Sequence, residues 1–173
     1  MTVATPSFDS TFFRTALGRF ATGVTIVTAE GDPGSGPVGL TVSSFNSVSL
    51  EPPLVVWSLS AQSTSLLSLD RSARYVIQVL ASDQMALANR FARGSAAERF
   101  AGLTLSHAPN GAPRLDLPCA AWFECRNRRR YTEGDHIIFI GEVEHCAFSD
   151  VLPLVYHAGG YDLTPAAPEA KPA

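Results

Sequence analysis

The sequence predicts an antiparallel β-barrel that carries a few short helices. Three observations support this. Apolar, β-branched runs of strand length recur along the chain and often follow one another directly. The helical patterns between them are few and short, which disfavours an alternating βαβ sheet. Gly- and Pro-rich turn signals separate the runs: GDPGSGP at 31–37, Pro52-Pro53, and Glu133-Gly134-Asp135.

The elements follow in order. FDSTFFRTALGRFATG (8–23) has Phe12, Phe13, Ala16, Leu17 and Phe20 at helical spacing, with Asp9 or Ser10 to cap it and Gly23 to end it. These phenylalanines supply either an apolar interface or a cap on the barrel of one subunit. VTIVTAE (24–30) reads as a strand, as do 38–46 and 53–60 on either side of the Pro-Pro break. SLLSLDRS is a short helix that Ser63 or Ser65 can cap, RYVIQVL a strand, and SDQMALANRFA an amphipathic helix. SAAERFAG carries a capping box, Ser95 with Glu98 three residues on. Residues 118–148 form a long hairpin turning at 133–135, and LPLVYHAGGYDL is a last strand with a Gly-Gly turn. No internal repeat or linker divides the chain.

Composition narrows the class. At 173 residues the chain is long enough for one domain with a real core, and 46% apolar against 17% charged residues is the balance of a globular protein. A net charge of −3 gives no reason to expect nucleic acid as a partner. No apolar run is long enough to span a bilayer, and MTVATPSFDS lacks the features of a secretory signal. The three cysteines, Cys119, Cys125 and Cys146, are expected to be reduced thiols in a cytoplasmic protein. TPAAPEAKPA is Pro/Ala-rich and expected to be disordered, so the domain is set at 1–164 and the tail at 165–173.

Familiar catalytic signatures are missing. There is no Gly-x-Gly-x-x-Gly after a strand, no Walker loop and no Gly-x-Ser-x-Gly elbow. His145 and Cys146 are neighbours on a strand and point to opposite faces, while Cys119 and Cys125 have the wrong spacing for zinc, so no metal site is expected. Arg126, Arg128, Arg129 and Arg130 form the one charge run, read as a solvated hairpin arm or as a phosphate or subunit contact. His107, His136 and His157 carry no signal by themselves.

One stretch does not fit a plain core strand pair. GLTVSSFNSVSLEPPLVVWSL (39–59) is interrupted by Thr41, Ser43, Ser44, Asn46, Ser47 and Ser49, and a second polar cluster follows at Ser60, Gln62, Ser63, Thr64 and Ser65. The first cluster is either a solvated sheet face or a slot in which short side chains let a flat ligand lie near the main chain. Hydroxyls and amides in the second suit a phosphate.

The chain resembles the short-chain NAD(P)H:flavin reductases of the FMN-binding split-barrel fold, which include the reductase components of two-component flavin-dependent monooxygenases. The matching pieces run in order: FRTALGRFATGVTIVT (13–28), GLTVSSFNSVSLEPPLVVWSL (39–59), STS (63–65), DQMALANRFA (83–92), GDHIIFIGEV (134–143) and PLVYHAGGY (153–161). The resemblance implies a split β-barrel, mainly β with short helices, that passes hydride from NADH, or less readily NADPH, to FAD or FMN. It further implies a homodimer and a partner monooxygenase. By the same resemblance Thr41, Val42, Ser43 and Ser44 lie against the flavin, with Trp57, Ser58 and Leu59 alongside on the neighbouring strand. Ser63, Thr64 and Ser65 hold the phosphate, Phe91 borders the pocket, Tyr161 closes it, and His136 positions the nicotinamide without acting as a general base. Two other readings remain at this stage: an oxidoreductase with tightly bound FMN, and a flavin-binding barrel without turnover.

Overall fold

The structure is a computed structural model describing residues 7–162, so the expected tail at 165–173 lies outside the described residues. The chain opens with helix α1 (Ser10–Leu17), whose first turn is capped by the Asp9 carboxylate accepting from the Phe12 N–H at 2.8 Å. The helix ends at Gly18 rather than at the expected Gly23, which lies in the short strand β1 (Thr22–Gly23). None of its residues is buried: Phe12 and Phe13 are 66% and 49% exposed, and Phe20, just beyond its end, is 72% exposed. The α1 phenylalanines therefore do not cap the barrel of their own subunit.

Next come β2 (Thr25–Ala29), β3 (Val38–Val42), β4 (Asn46–Leu50) and β5 (Pro53–Ser60). The expected single strand over 38–46 breaks after Val42, and Asn46–Leu50 forms its own hairpin with β5 across Glu51-Pro52. Helix α2 (Leu66–Arg71) leads to β6 (Arg74–Val79), α3 (Met85–Phe91) and α4 (Ala96–Phe100). The Ser95/Glu98 capping box of α4 is present as the sequence predicts. Two short strands, β7 (Leu105–His107) and β8 (Pro113–Leu115), pair with each other.

The long hairpin is β9 (Ala121–Glu133) and β10 (His136–Phe148). Its two-residue turn has Gly134 at φ +59°, the first central position where only glycine is unstrained. The expected final strand is instead a small hairpin, β11 (Val155–His157) and β12 (Gly160–Asp162), with β11 also pairing β1.

Seven antiparallel strands in the order β3-β2-β6-β9-β10-β5-β4 form the main sheet. It curls into a split β-barrel. At the split, Ser44 Oγ accepts from the Ser58 N–H at 2.9 Å and donates to the Ser58 carbonyl at 3.2 Å, joining the end of β3 to β5. The barrel interior holds Val27, Leu40, Val42, Trp57, Leu59, Tyr75 and Phe139, with Trp57 stacked on Phe139 at 4.3 Å between centroids. A second core lies outside the sheet, where Val24, Ile26 and Leu80 meet Ala88 and Phe91 of α3. Both faces of β2 are covered, so all five of its residues are buried.

The arginine run belongs to the surface of this frame. Arg126 and Arg128 meet Glu142 across the hairpin at 2.6 and 3.2 Å, and Arg130 meets Asp70 at 3.0 Å. Exposed pairs of this kind are worth at most about 1 kcal/mol each. They match the reading as a solvated arm.

Candidate functional site

Strand alternation sorts the hydroxyl-rich stretch into two faces. On β3, Leu40 and Val42 point into the barrel, while Gly39 and Thr41 face α3 and α4. On β5, Val55, Trp57 and Leu59 point inward, leaving Ser58 and Ser60 outside. The outer face needs a residue without a side chain at Gly39. A Cβ there would stand 2.8 Å from Phe100 and 2.9 Å from Phe91, closer than packing allows. Thr41 then donates its hydroxyl to the Ala88 carbonyl of α3 at 2.7 Å, fixing helix to strand.

Beyond Thr41 the outer face opens into a cavity of about 350 Å³. Thr41 and Ser43 line one side, Tyr156 and Tyr161 of the β11–β12 hairpin another, and Asn89 and Arg93 the α3 side. The two tyrosine rings meet edge to face at 5.3 Å, and the Tyr161 hydroxyl reaches Asn89 Oδ1 at 3.5 Å. Burial, with Tyr156 nearby, raises the Tyr161 phenol above its ordinary value, while Arg93 pulls it back. Tyr161 is therefore an uncharged, aromatic wall at neutral pH.

The predicted residues fall into groups. Thr41, Ser43 and Tyr161 come together in the cavity. Val42, Trp57, Leu59 and Phe91 do not: all four side chains are buried in the two cores, Trp57 and Phe91 completely. Phe91 is large and apolar, so it packs edge to face on Phe100 at 5.0 Å, and the next residues, Ala92 and Arg93, line the cavity instead. The Ser44 hydroxyl is taken up by the Ser58 main chain at the barrel seam.

Ser63, Thr64 and Ser65 form a turn before α2. Ser63 Oγ accepts from the Ser65 N–H at 3.3 Å, but Ser65 Oγ does not cap α2. That hydroxyl accepts instead from Arg99 Nη1 at 3.4 Å, and the same nitrogen donates to the Gly39 carbonyl at 2.7 Å. His136 opens β10 opposite Ser60 and is half exposed, its Nδ1 2.7 Å from Asp135 Oδ1. That contact lowers the Asp135 carboxyl below its usual value, so the carboxylate stays charged and fixes the imidazole.

Sequence reasoning missed Asn89, Arg93, Tyr156 and Arg99. Spacing offered only a weak signal, since Asn89 lies on α3 and Arg93, four residues on, just beyond its end. Among the described residues no group of three His, Cys, Asp or Glu side chains is placed to hold a metal, and no helix is long and apolar enough to cross a membrane.

Residues 17–164 match the family model described as flavin reductase like domain, and the chain belongs to that family. It is 41% identical over 153 residues to the FMN reductase (NADH) SmoA of Agrobacterium fabrum, covering 88% of this chain and 85% of that one. Two solved structures share the fold. One is the NADH:FAD oxidoreductase SgcE6 of Streptomyces globisporus in complex with NAD and FAD fragments, with a TM-score of 0.84, 32% identity, and 99% and 100% of the two chains covered. The other is the styrene monooxygenase flavin reductase of Pseudomonas putida, with a TM-score of 0.79, 30% identity, and 90% and 98% covered.

Proposed function

We propose that the protein is an NADH:flavin oxidoreductase that reduces FAD or FMN and releases the reduced flavin to a separate flavin-dependent monooxygenase. The observation that carries this reading is the outer groove, where short hydroxyls on β3 face two tyrosine rings across a slot suited to a flat heterocycle. The bound nucleotides supply the chemistry, hydride passing from nicotinamide C4 to flavin N5. The chain's own residues stack, orient and exclude water. Among the described residues no carboxylate lines the groove, which suits a reaction that needs no general base.

Thr41 and Ser43 hold the ring and ribityl side, with Ser44 and Ser58 keeping the strand ends closed beneath it. Val42, Trp57, Leu59 and Phe91 act from behind by fixing the strands and α3. Ser63, Thr64 and Ser65 take the phosphate, and Tyr161 closes the slot. His136, held by Asp135, presents its Nε2 to the nicotinamide carboxamide. The names of relatives support NADH as donor and a monooxygenase as recipient.

The exposed Phe12, Phe13 and Leu17 of α1, with Phe20 just beyond its end, support a homodimer, because so much exposed apolar surface close together is what a subunit interface covers. Three free thiols, at Cys119, Cys125 and Cys146, support a cytoplasmic setting.

The test is NADH oxidation by the purified protein with and without added FAD or FMN. Oxidation that appears on adding flavin and saturates in it supports the proposal. Oxidation by a yellow protein without added flavin favours a tightly bound prosthetic group, and none under any condition leaves a binding barrel.

A further inference from the structure

Most of the arginines are satisfied within the molecule. Arg71, Arg74, Arg126, Arg128 and Arg130 each meet a carboxylate. Arg90 and Arg99 donate to main-chain carbonyls, and Arg114 donates to Ser106 and lies over the Trp122 ring. Among the described residues, the side chains of Arg14, Arg19, Arg93 and Arg129 meet no such partner. The first three of these come together. Arg93 lines the groove, and Arg14 and Arg19 line a second cavity of about 270 Å³ between α1 and the β11–β12 turn. Gly159 lines both cavities, so the two adjoin.

A specific contact builds this arrangement. The Ala158 N–H donates to the Gly18 carbonyl at 2.8 Å and docks the end of α1 onto the turn. Ala158 takes a φ of +50° there, a left-handed conformation that side chains rarely adopt. Among the described residues no carboxylate lines either cavity. An exposed arginine needs no partner, but three around one concave surface repel one another and focus a positive potential there. The chain as a whole has a net charge of −3, so this patch opposes the general balance. Such a surface fits a compact anion of more than one charge, and guanidinium forks match phosphate oxygens. The flavin's own phosphate is assigned to the turn of Ser63, Thr64 and Ser65, so a second anion belongs to the hydride donor.

We propose that the cavity between α1 and the β11–β12 turn receives the diphosphate of the nicotinamide dinucleotide, with Arg14 and Arg19 as its main counter-charges and Arg93 on the groove side. This rests on the reading of the protein as a flavin oxidoreductase. The donor is then held at a distance from its reacting ring, by a helix that lies outside the barrel.

The test compares NADH with dihydronicotinamide riboside, which has the same reacting ring and ribose but no phosphate. The KM for each donor is measured at saturating FMN for the wild type, for Arg14→Ala with Arg19→Ala, and for Arg14→Lys with Arg19→Lys. Calorimetry on the same samples measures binding of ADP-ribose, which carries the diphosphate without the nicotinamide. The wild type is expected to prefer NADH and to bind ADP-ribose. The alanine pair should raise the NADH KM and weaken ADP-ribose about tenfold or more, the size of lost charge-assisted bonds, while the riboside KM moves by less than about twofold. The lysine pair should fall between, keeping the charge without the fork. Equal loss with both donors, or unchanged ADP-ribose binding, overturns the proposal and leaves the arginines a solvated surface. If the alanine pair does not fold, the wild type decides. ADP-ribose binding that competes with NADH and falls steeply with added salt supports the site, and no binding overturns it. A wild type that oxidises neither donor overturns the oxidoreductase reading itself, and ADP-ribose binding still decides the cavity.

Discussion

Strands β3 and β5 each have an inner and an outer face, and the two faces follow different rules. Inside, Val42, Trp57 and Leu59 are buried against Tyr75 and Phe139, with rings stacked at 4.3 Å. Outside, Thr41, Ser43, Ser58 and Ser60 are short, polar and accessible, and the groove beside Thr41 and Ser43 is walled by residues from three other elements. Because side chains alternate along a strand, one stretch of sequence can hold a barrel closed and present a ligand surface at once. The inner face should govern stability and the outer face binding.

The largest effect expected from breaking this division is at Trp57. Trp57→Ala removes a fully buried ring and should cost about 3–5 kcal/mol. Thermal unfolding by circular dichroism should show the midpoint falling by about 10 °C. A loss of activity without a fall in the midpoint contradicts the assignment of Trp57 to the inner face.

His136 lies on the outer side, at the hairpin turn. His136→Ala should raise the KM for NADH about tenfold, the equivalent of about 1.4 kcal/mol, and leave the flavin KM and the thermal midpoint close to wild type. Steady-state kinetics with each substrate varied in turn separate the two constants. An unchanged NADH KM removes His136 from the nicotinamide site.

The smallest effect is electrostatic and lies away from both faces. Arg74 donates to Glu144 at 2.6 Å and holds that carboxyl below its usual value. A carboxyl whose folded pKa is depressed stabilises the fold above its unfolded pKa and loses that contribution as pH falls through the folded one. The wild-type midpoint should therefore decline more steeply below about pH 4.5 than that of Glu144→Gln. The difference should stay under about 1 kcal/mol, since solvent screens a pair this close to the surface.

Much of this was legible in the sequence, for physical reasons. The long hairpin, the α4 capping box and the Pro-Pro bend are local signals, set by residues that adjoin in the chain. The hydroxyl-rich stretch marked Thr41 and Ser43 because short polar groups are out of place on a fully buried strand. Consecutive residues such as Trp57, Ser58 and Leu59 were marked together, yet alternation lets only one parity face the groove. Phe91 drew attention as an aromatic beside the site, and its apolar bulk is the reason it went to the core. Arg93, Tyr156 and Arg99 were not legible because their meaning depends on a fold that brings α3, α4 and the last hairpin beside β3. An arginine in a sequence does not show whether an acid will meet it.

The most direct measurement fills the groove from its rim. Ser43 lies exposed at the groove mouth and carries no barrel packing. Ser43→Trp should occupy the cavity and abolish flavin-dependent NADH oxidation, while the thermal midpoint shifts by only about 1–2 °C, as for an exposed substitution. A variant that reduces added FMN with wild-type KM and kcat contradicts the placement of the flavin on the outer face of β3.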